Sequence, residues 1–422
     1  MDRLQVTVVG AGLSGLSTAI ACAVSGHSVT VIESASELQE VGAGLQITPN
    51  ATRLLKTWGL PDSFWATAAE PTFLAVHRYS DGKILAMEKD FNAKIRGNYG
   101  APFLDFHRVD LQLALYKHAL SLGVKFELGQ KAQTIDFDLP QVITGSGAKF
   151  SSDLVVAADG LWSQSRSCFL ATKDAPLPTG DLAYRVVLSL DDIKDPELRE
   201  WVSNPSVHFW IGPGAHAVGY SVRAGKMYNI VLLVPDDLPV GVSRQPGSVE
   251  EMKVLFKDWD PILTRFLNIV KSVDKWKLMH RSELDSWIND QSTGDACHPM
   301  LPYLAQGANS AIEDGAVLGH LLGKVKARNE LPRALKLYEQ LRKTRGEAVV
   351  RETFKQRQAF HMPNGPEQEA RDELFLSQLE TGLTGDPFPS RWTCPQVQPW
   401  LYSYDAYEEA EKAWLSSSNG VA

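Results

Sequence analysis

The stretch that most constrains this chain is Val6-Thr7-Val8-Val9-Gly10-Ala11-Gly12-Leu13-Ser14-Gly15. It reads as a buried strand that turns through three glycines into a helix. Gly10 permits the tight turn, and Gly12 lets the backbone approach a pyrophosphate. Gly15 lets the new helix pack close to the sheet, so that its N-terminal amides and dipole face the phosphates. The helix continues from Leu16 to Val24 and stops at Gly26-His27. A second strand, Ser28-Val29-Thr30-Val31-Ile32, then delivers Glu33, eighteen residues after Gly15. A carboxylate there accepts hydrogen bonds from two ribose hydroxyls and disfavours a 2′-phosphate. Three glycines alone are a weak sign and fit a turn with no ligand. Strand, glycines, helix, strand and acid in this order predict a dinucleotide.

With 422 residues the chain has room for two domains or one elaborated domain with an ample core. A formal net charge of −8 and the lack of any basic block argue against nucleic acid or an anionic membrane as partner. The four cysteines, Cys22, Cys168, Cys297 and Cys394, lie far apart, so no disulfide framework and no metal site is expected. Met1-Asp2-Arg3-Leu4 runs straight into the first strand, and no long apolar run follows. The expected setting is therefore cytoplasmic, with no membrane span.

Further along, Leu38 to Asn50 carries Gly42 and Gly44 in a loop that either approaches a flat or charged ligand or lies on the surface. A helix from Ala51 to Trp58 and a hairpin from Phe73 to Met87, turning at Asp81-Gly82, come next. Phe106-His107-Arg108-Val109-Asp110-Leu111 opens a helix, with Arg108 at its start either a solvated charge or a ligand contact. Asp153-Leu154-Val155-Val156-Ala157-Ala158-Asp159-Gly160 reads as a buried parallel strand whose end meets a ligand, although an Asp-Gly turn after a strand is common. From Tyr184 to Leu278 alternating strands predict an antiparallel sheet inserted into the α/β domain, with one face free for a substrate. The last signal is Gly294-Asp295-Ala296-Cys297-His298-Pro299, followed by a helix after Gly307 with Ala308, Ala311, Gly315 and Gly319 on one face. Small residues at that spacing allow close packing, and the helix N-terminus favours negative charge.

Taken together, Gly10-x-Gly12-x-x-Gly15, Asp159-Gly160 and Gly294-Asp295 resemble the three motifs of the class A FAD-dependent aromatic hydroxylases. The nearest likeness is to salicylate and 6-hydroxynicotinate monooxygenases and their fungal tailoring relatives. His107-Arg108-x-Asp110-Leu111, Ala334-Leu335-x-x-Tyr338-Glu339-x-x-Arg342 and Trp400-Leu401-Tyr402-x-Tyr404-Asp405-Ala406 extend the resemblance over nearly the whole chain. It implies an α/β, Rossmann-like FAD-binding domain of the glutathione-reductase type, an inserted antiparallel-sheet substrate domain and a helical C-terminal segment. The expected FAD-binding parts are 1–75, 101–180 and 281–350, with 76–100 and 181–280 forming the substrate sheet and 351–422 the C-terminal segment.

The resemblance further implies FAD as cofactor, NADPH or NADH as transient co-substrate without a fold of its own, O2, and a small aromatic substrate. The implied reaction is hydroxylation of a phenolic or hydroxy-heteroaromatic compound through a flavin C4a-hydroperoxide. The alternatives are a tailoring enzyme that epoxidises or dearomatises a polyketide, and a non-catalytic relative. By the same resemblance Gly10, Gly12 and Gly15 cradle the pyrophosphate and Glu33 binds the adenosine ribose. Gly44 and Arg108 contact the cofactor, Asp159 touches FAD and NAD(P)H, and Asp295 holds the ribityl and diphosphate side. The backbone at Gly307, Ala308 and Asn309 would cradle the pyrimidine edge, and Pro299 would lie beside the ring.

Arg185, His216 and Tyr220 match substrate-pocket positions of relatives. Period-two alternation places His216, Val218 and Tyr220 on one strand face. Arg185 either serves a phenolate or forms a structural ion pair. His216 is either a ligand or a solvent-facing loop histidine, and Tyr220 either holds substrate or packs. Gln46 stands where the hydroxynicotinate branch has histidine. Tyr303 is expected to line the pocket, and the aromatic tail (Trp392, Trp400, Tyr402, Tyr404, Tyr407) to cap the substrate domain rather than a second subunit of a homodimer. One departure stands out: Asn289-Asp290-Gln291-Ser292-Thr293 precedes Gly294 where the family has a continuous apolar strand. The strand under Asp295 is expected to be missing or badly shortened, with FAD binding weakened.

Overall fold

The structure is a computed structural model that describes residues 3–38, 42–288, 292–294, 300–381 and 390–418. Its cofactor side is built on a five-stranded parallel sheet. Gln5–Val9 lies at the middle, flanked by Ser28–Ile32 and Leu154–Ala157, with Lys125–Glu127 and Ser292–Gly294 at the two edges. The central strands bury mainly valines, isoleucine and leucine (Val6, Val8, Val9, Val29, Val31, Ile32, Leu154, Val155, Val156), because both faces are covered. Val6, Val8 and Val31 pack under the helices Leu13–Val24 and Gln306–Lys324, while Val9, Ile32 and Val155 face a small antiparallel sheet through Ile135 and Val142.

The glycines explain the close fit. Gly10 has φ +103°, and a Cβ there would stand 2.4 Å from the Ala158 carbonyl oxygen. A Cβ on Gly15 would stand 1.9 Å from the Gly10 carbonyl oxygen. The helix Gln306–Lys324 crosses Leu13–Val24 at backbone contact, since a Cβ on Gly315 or Gly319 would come within 2.7 Å of the Ser17 or Ala21 carbonyl carbon.

The strand before Asp295, expected to be missing or badly shortened, is described over three residues, Ser292–Gly294. Ser292–Gly294 is short, but it pairs in parallel with Val155, Val156 and Ala157 and ends at Gly294. It lies at the sheet edge among the described residues. Asp295, Cys297, His298 and Pro299 lie outside the described residues.

The second layer is an eight-stranded sheet in the order Arg244–Gly247, Val273–His280, Leu177–Ser189, Met227–Pro235, Ala215–Val222, Val207–Gly212, Leu74–Arg78, Ile84–Glu88. It is mixed rather than wholly antiparallel, because Val207–Gly212 pairs in parallel with Leu74–Arg78. That hairpin comes from an earlier part of the chain, so no tight turn fixes its direction. One sheet face buries Tyr184, Val186, Trp210, Tyr228, Ile230 and Leu232 against the helices Pro196–Ser203, Val249–Leu255 and Pro261–Ile269. Asp195, Ser248 and Asp260 cap those helices by accepting first-turn amides. The other face looks toward the cofactor side.

The long helix Leu331–Phe360 joins the parts. Its Arg342 and Arg345 meet Glu313 and Asp314 in a fully buried ion cluster, with N–O distances of 2.5–2.8 Å. Arg345 also donates to the Trp400 and Leu401 carbonyls at 3.1 and 3.0 Å, tying down the tail. The tail packs internally: Tyr402 lies edge-on to Tyr99, and Tyr407 accepts from Trp58 Nε1 at 2.6 Å. No helix of the described residues is long and apolar enough to cross a membrane.

Candidate active site

Between the two layers runs a cavity of about 380 Å³. Its floor on the cofactor side is Gly12, Leu13, Ser14, Ala43, Gly44 and Arg108, with Ala158, Gly160, Gly307 and Ala308 beside them. The other wall is one face of the eight-stranded sheet: Ala183 and Arg185, Val231 and Leu233, His216, Val218 and Tyr220, and Phe209. These alternate along four adjacent strands and sit opposite one another in register, Arg185 by Val231, Val231 by Val218 and Val218 by Phe209. Tyr303 and Trp392 close the far end.

The cofactor half fits a dinucleotide. A Cβ on Gly12 would meet nothing within 4 Å, unlike one on Gly10 or Gly15. The helix beginning at Leu13 has no side-chain cap, and the Ser14 hydroxyl is buried without a partner among the described residues. Unused amides, a free hydroxyl and open space at Gly12 are what a pyrophosphate requires. Glu33 accepts from the Ala11 and Ala35 amides, each at 2.8 Å, which locks it to the glycine loop at the ribose end. Gln112 steadies the loop from the other side by donating to the Ala11 carbonyl at 3.2 Å.

The side chains of Asp159 and Asn309 brace the loops around the site. The Asp159 carboxylate turns back on its own loop, accepting from the Ser163 hydroxyl at 2.5 Å and the Ser165 amide at 2.9 Å. Asn309 accepts from the Thr48 amide at 2.9 Å and donates to the Gln46 carbonyl at 3.1 Å, clamping that strand to the helix Gln306–Lys324. The Gly44 backbone approaches the substrate sheet. Its amide donates to Asn229 Oδ1 at 2.7 Å, and a Cβ there would lie 2.6 Å from the Tyr220 ring.

On the substrate half, Arg185 stacks its guanidinium 4.7 Å over Trp276. Tyr220 is buried, and that burial, reinforced by Asp105, raises its hydroxyl pKa above the ordinary tyrosine value, so it stays protonated. His216 is a buried strand residue and not a solvent-facing loop histidine. Its Nδ1 lies 2.7 Å from His361 Nε2. Beside this pair, Tyr303 donates its hydroxyl to Asp181, which also takes both arms of Arg357. Burial pushes both histidines down, His216 well below the usual range and His361 to about 4.

Sequence reasoning missed Asp105, Asp181, Arg357 and His361. Asp105 accepts from Gln46 Nε2 at 3.0 Å, and burial raises its carboxyl well above the usual range. Asp181 was within reach, because it shares the parity of Ala183 and Arg185 on their strand. Arg357 and His361 carry only a one-turn spacing at a helix end, which specifies no partner.

Residues 3–353 match the family model of the FAD binding domain. The chain belongs to the class A flavin monooxygenases. The monooxygenase is 48% identical to the FAD-dependent monooxygenase OpS4 of Beauveria bassiana (strain ARSEF 2860), over 98% of this chain and 97% of that one. It is 32% identical to the 3-hydroxybenzoate 6-hydroxylase of Polaromonas naphthalenivorans (strain CJ2), over 95% of this chain and 96% of that one. Its fold is shared with CtdE in complex with FAD and substrate 4, at a TM-score of 0.84 and 21% identity over 99% of this chain and 100% of that one. FAD is the cofactor of this monooxygenase.

Proposed function

We propose that the monooxygenase uses NAD(P)H and O2 to hydroxylate a phenolic or hydroxy-heteroaromatic small molecule. The observation that carries the reading is the single cavity in which Arg185, His216 and Tyr220 face the glycine-loop cleft across apolar walls. The name of the 3-hydroxybenzoate 6-hydroxylase relative supports it.

Bound FAD supplies the oxygen activation. The chain's own residues do the rest. Gly12, Ser14 and the first amides of Leu13–Val24 receive the pyrophosphate, Glu33 the ribose, and Arg108 the diphosphate region. Gly307 and Ala308, at the start of Gln306–Lys324, would meet the pyrimidine edge, and the helix dipole there would stabilise negative charge. Phe209, Val218, Val231, Leu233 and Trp392 hold a flat ring and keep water out. Arg185 stabilises a substrate oxyanion, which enriches the ring in electrons, and Tyr220 donates its hydroxyl hydrogen bond.

The test is NAD(P)H oxidation by FAD-loaded protein, with and without a panel of hydroxybenzoates, hydroxypyridines and resorcinol-type compounds. The reading expects at least one compound to raise the rate and to gain a hydroxyl. A rate unmoved by every electron-rich ring, in a protein that holds FAD, counts against it. A product that has lost aromaticity would assign the same site to dearomatisation.

A further inference from the structure

His216 and His361 form a buried N···N pair at 2.7 Å, and His216 lines the cavity. Such a contact holds one proton, and the position of that proton decides what His216 offers to a ligand.

Both rings are neutral, for reasons visible in the geometry. Among the described residues the carboxylate beside the pair is Asp181, which is already engaged by both arms of Arg357 and by the Tyr303 hydroxyl. Arg357 itself repels a second positive charge. The aromatic rings beside the pair among the described residues are those of Phe360 and Tyr303, at centroid distances of 5.4–5.9 Å.

Two neutral arrangements are possible. In one, His216 Nδ1–H donates to His361 Nε2. His361 must then carry its hydrogen on Nδ1, which is buried and has no partner among the described residues. In the other, His361 Nε2–H donates to His216 Nδ1, and the partnerless atom is a bare acceptor. Orphaned buried N–H groups are rarer in proteins than under-satisfied acceptors. The second arrangement also places both rings in the Nε2–H tautomer, the form that neutral histidine prefers in water.

We propose that His361 is a positioning residue that fixes His216 as an Nε2–H donor toward the cavity, so that the site takes a substrate oxygen that is already a phenolate or enolate. His216 is then not the base that ionises the substrate. Arg185, Tyr220 and His216 then all present hydrogens or positive charge to the cavity they line. The substrate class named here rests on the proposed aromatic hydroxylation, whereas the tautomer does not.

The experiment is 15N NMR of FAD-loaded protein labelled in its histidine rings. Scalar coupling across the N–H···N contact identifies the pair and its donor nitrogen without any variant. The expected result is a protonated His361 Nε2 coupled to an unprotonated His216 Nδ1, with His216 Nε2 protonated and unchanged from pH 6 to 8. A proton on His216 Nδ1 would overturn the proposal, as would titration of either ring in that range. His361→Phe gives a second reading: 4-nitrophenolate at pH 8, used as a phenolate probe, should bind about tenfold more weakly, as for the loss of an oriented hydrogen bond to a charged group. Unchanged affinity contradicts the positioning role. Failure of the monooxygenase to hydroxylate any ring would remove the substrate class and leave the tautomer result standing.

Discussion

Gly12 and Gly15 stand three residues apart in one motif and are held for different reasons. Gly15 has no room for a side chain inside the protein, whereas Gly12 faces space that the protein leaves open. Gly12→Ala should therefore leave the stability of the FAD-free chain within about 1 kcal/mol, the usual scale of an N-cap change. FAD affinity should fall at least roughly tenfold, since the new methyl stands where the backbone meets the pyrophosphate. Gly15→Ala should lower both, with a stability cost of about 1–3 kcal/mol or more from overpacking. Urea melts of the apo-protein and FAD titration by flavin fluorescence separate the two variants. The buried histidines set a pH limit of their own. Their folded pKa values lie below the unfolded value, so their contribution is complete above about pH 6.5 and is lost as pH falls toward the folded value. For His361, held at about 4, that amounts to roughly 3 kcal/mol between pH 6.5 and 4. Urea midpoints should drop steeply over that interval, and less steeply in His361→Phe. Glycines and Glu33 were legible because local backbone geometry alone dictates them. His361 was not, because its meaning depends on a partner 145 positions away.

Helices and strands were legible where periodicity was strong and opaque where placement in the sheet decided. The small-residue face of Gln306–Lys324 predicted close packing, and the structure shows that packing as backbone contact with Leu13–Val24. Alanine at position 319 would meet the Ala21 carbonyl carbon at 2.6 Å with nothing flexible to yield, while at position 323 it would meet only the Ser25 side chain at 3.2 Å. Gly319→Ala should therefore destabilise by about 1–3 kcal/mol. Gly323→Ala should be neutral or stabilising by up to about 1 kcal/mol through helix propensity. Thermal melts of the two variants check this pairing. The polar run before Gly294 predicted a missing or badly shortened strand, and the strand described there spans the three residues Ser292–Gly294. The parallel pair between Val207–Gly212 and Leu74–Arg78 was not legible, since alternation reports a half-buried strand but not the direction of its neighbour.

At the scale of the whole molecule, the two larger sheets face one cavity, with a helical segment holding them in register. The motif around Arg342 and the motif around Glu313-Asp314 look unrelated along the chain, yet they are two halves of one buried ion cluster. Arg345 extends that cluster to the tail, whose Trp392 closes the cavity and donates to the Tyr303 carbonyl at 3.0 Å. The position of the cofactor cleft against the donor-lined sheet is thus a property of the full chain. What that position is for can be read from one isotope. FAD-loaded monooxygenase, NAD(P)H and 18O2 are combined with the ring compound that most stimulates turnover, and the product is weighed. The account predicts one 18O atom per product molecule, matched by one NAD(P)H consumed. A product without the label, or NAD(P)H spent only on hydrogen peroxide with every ring offered, would contradict it.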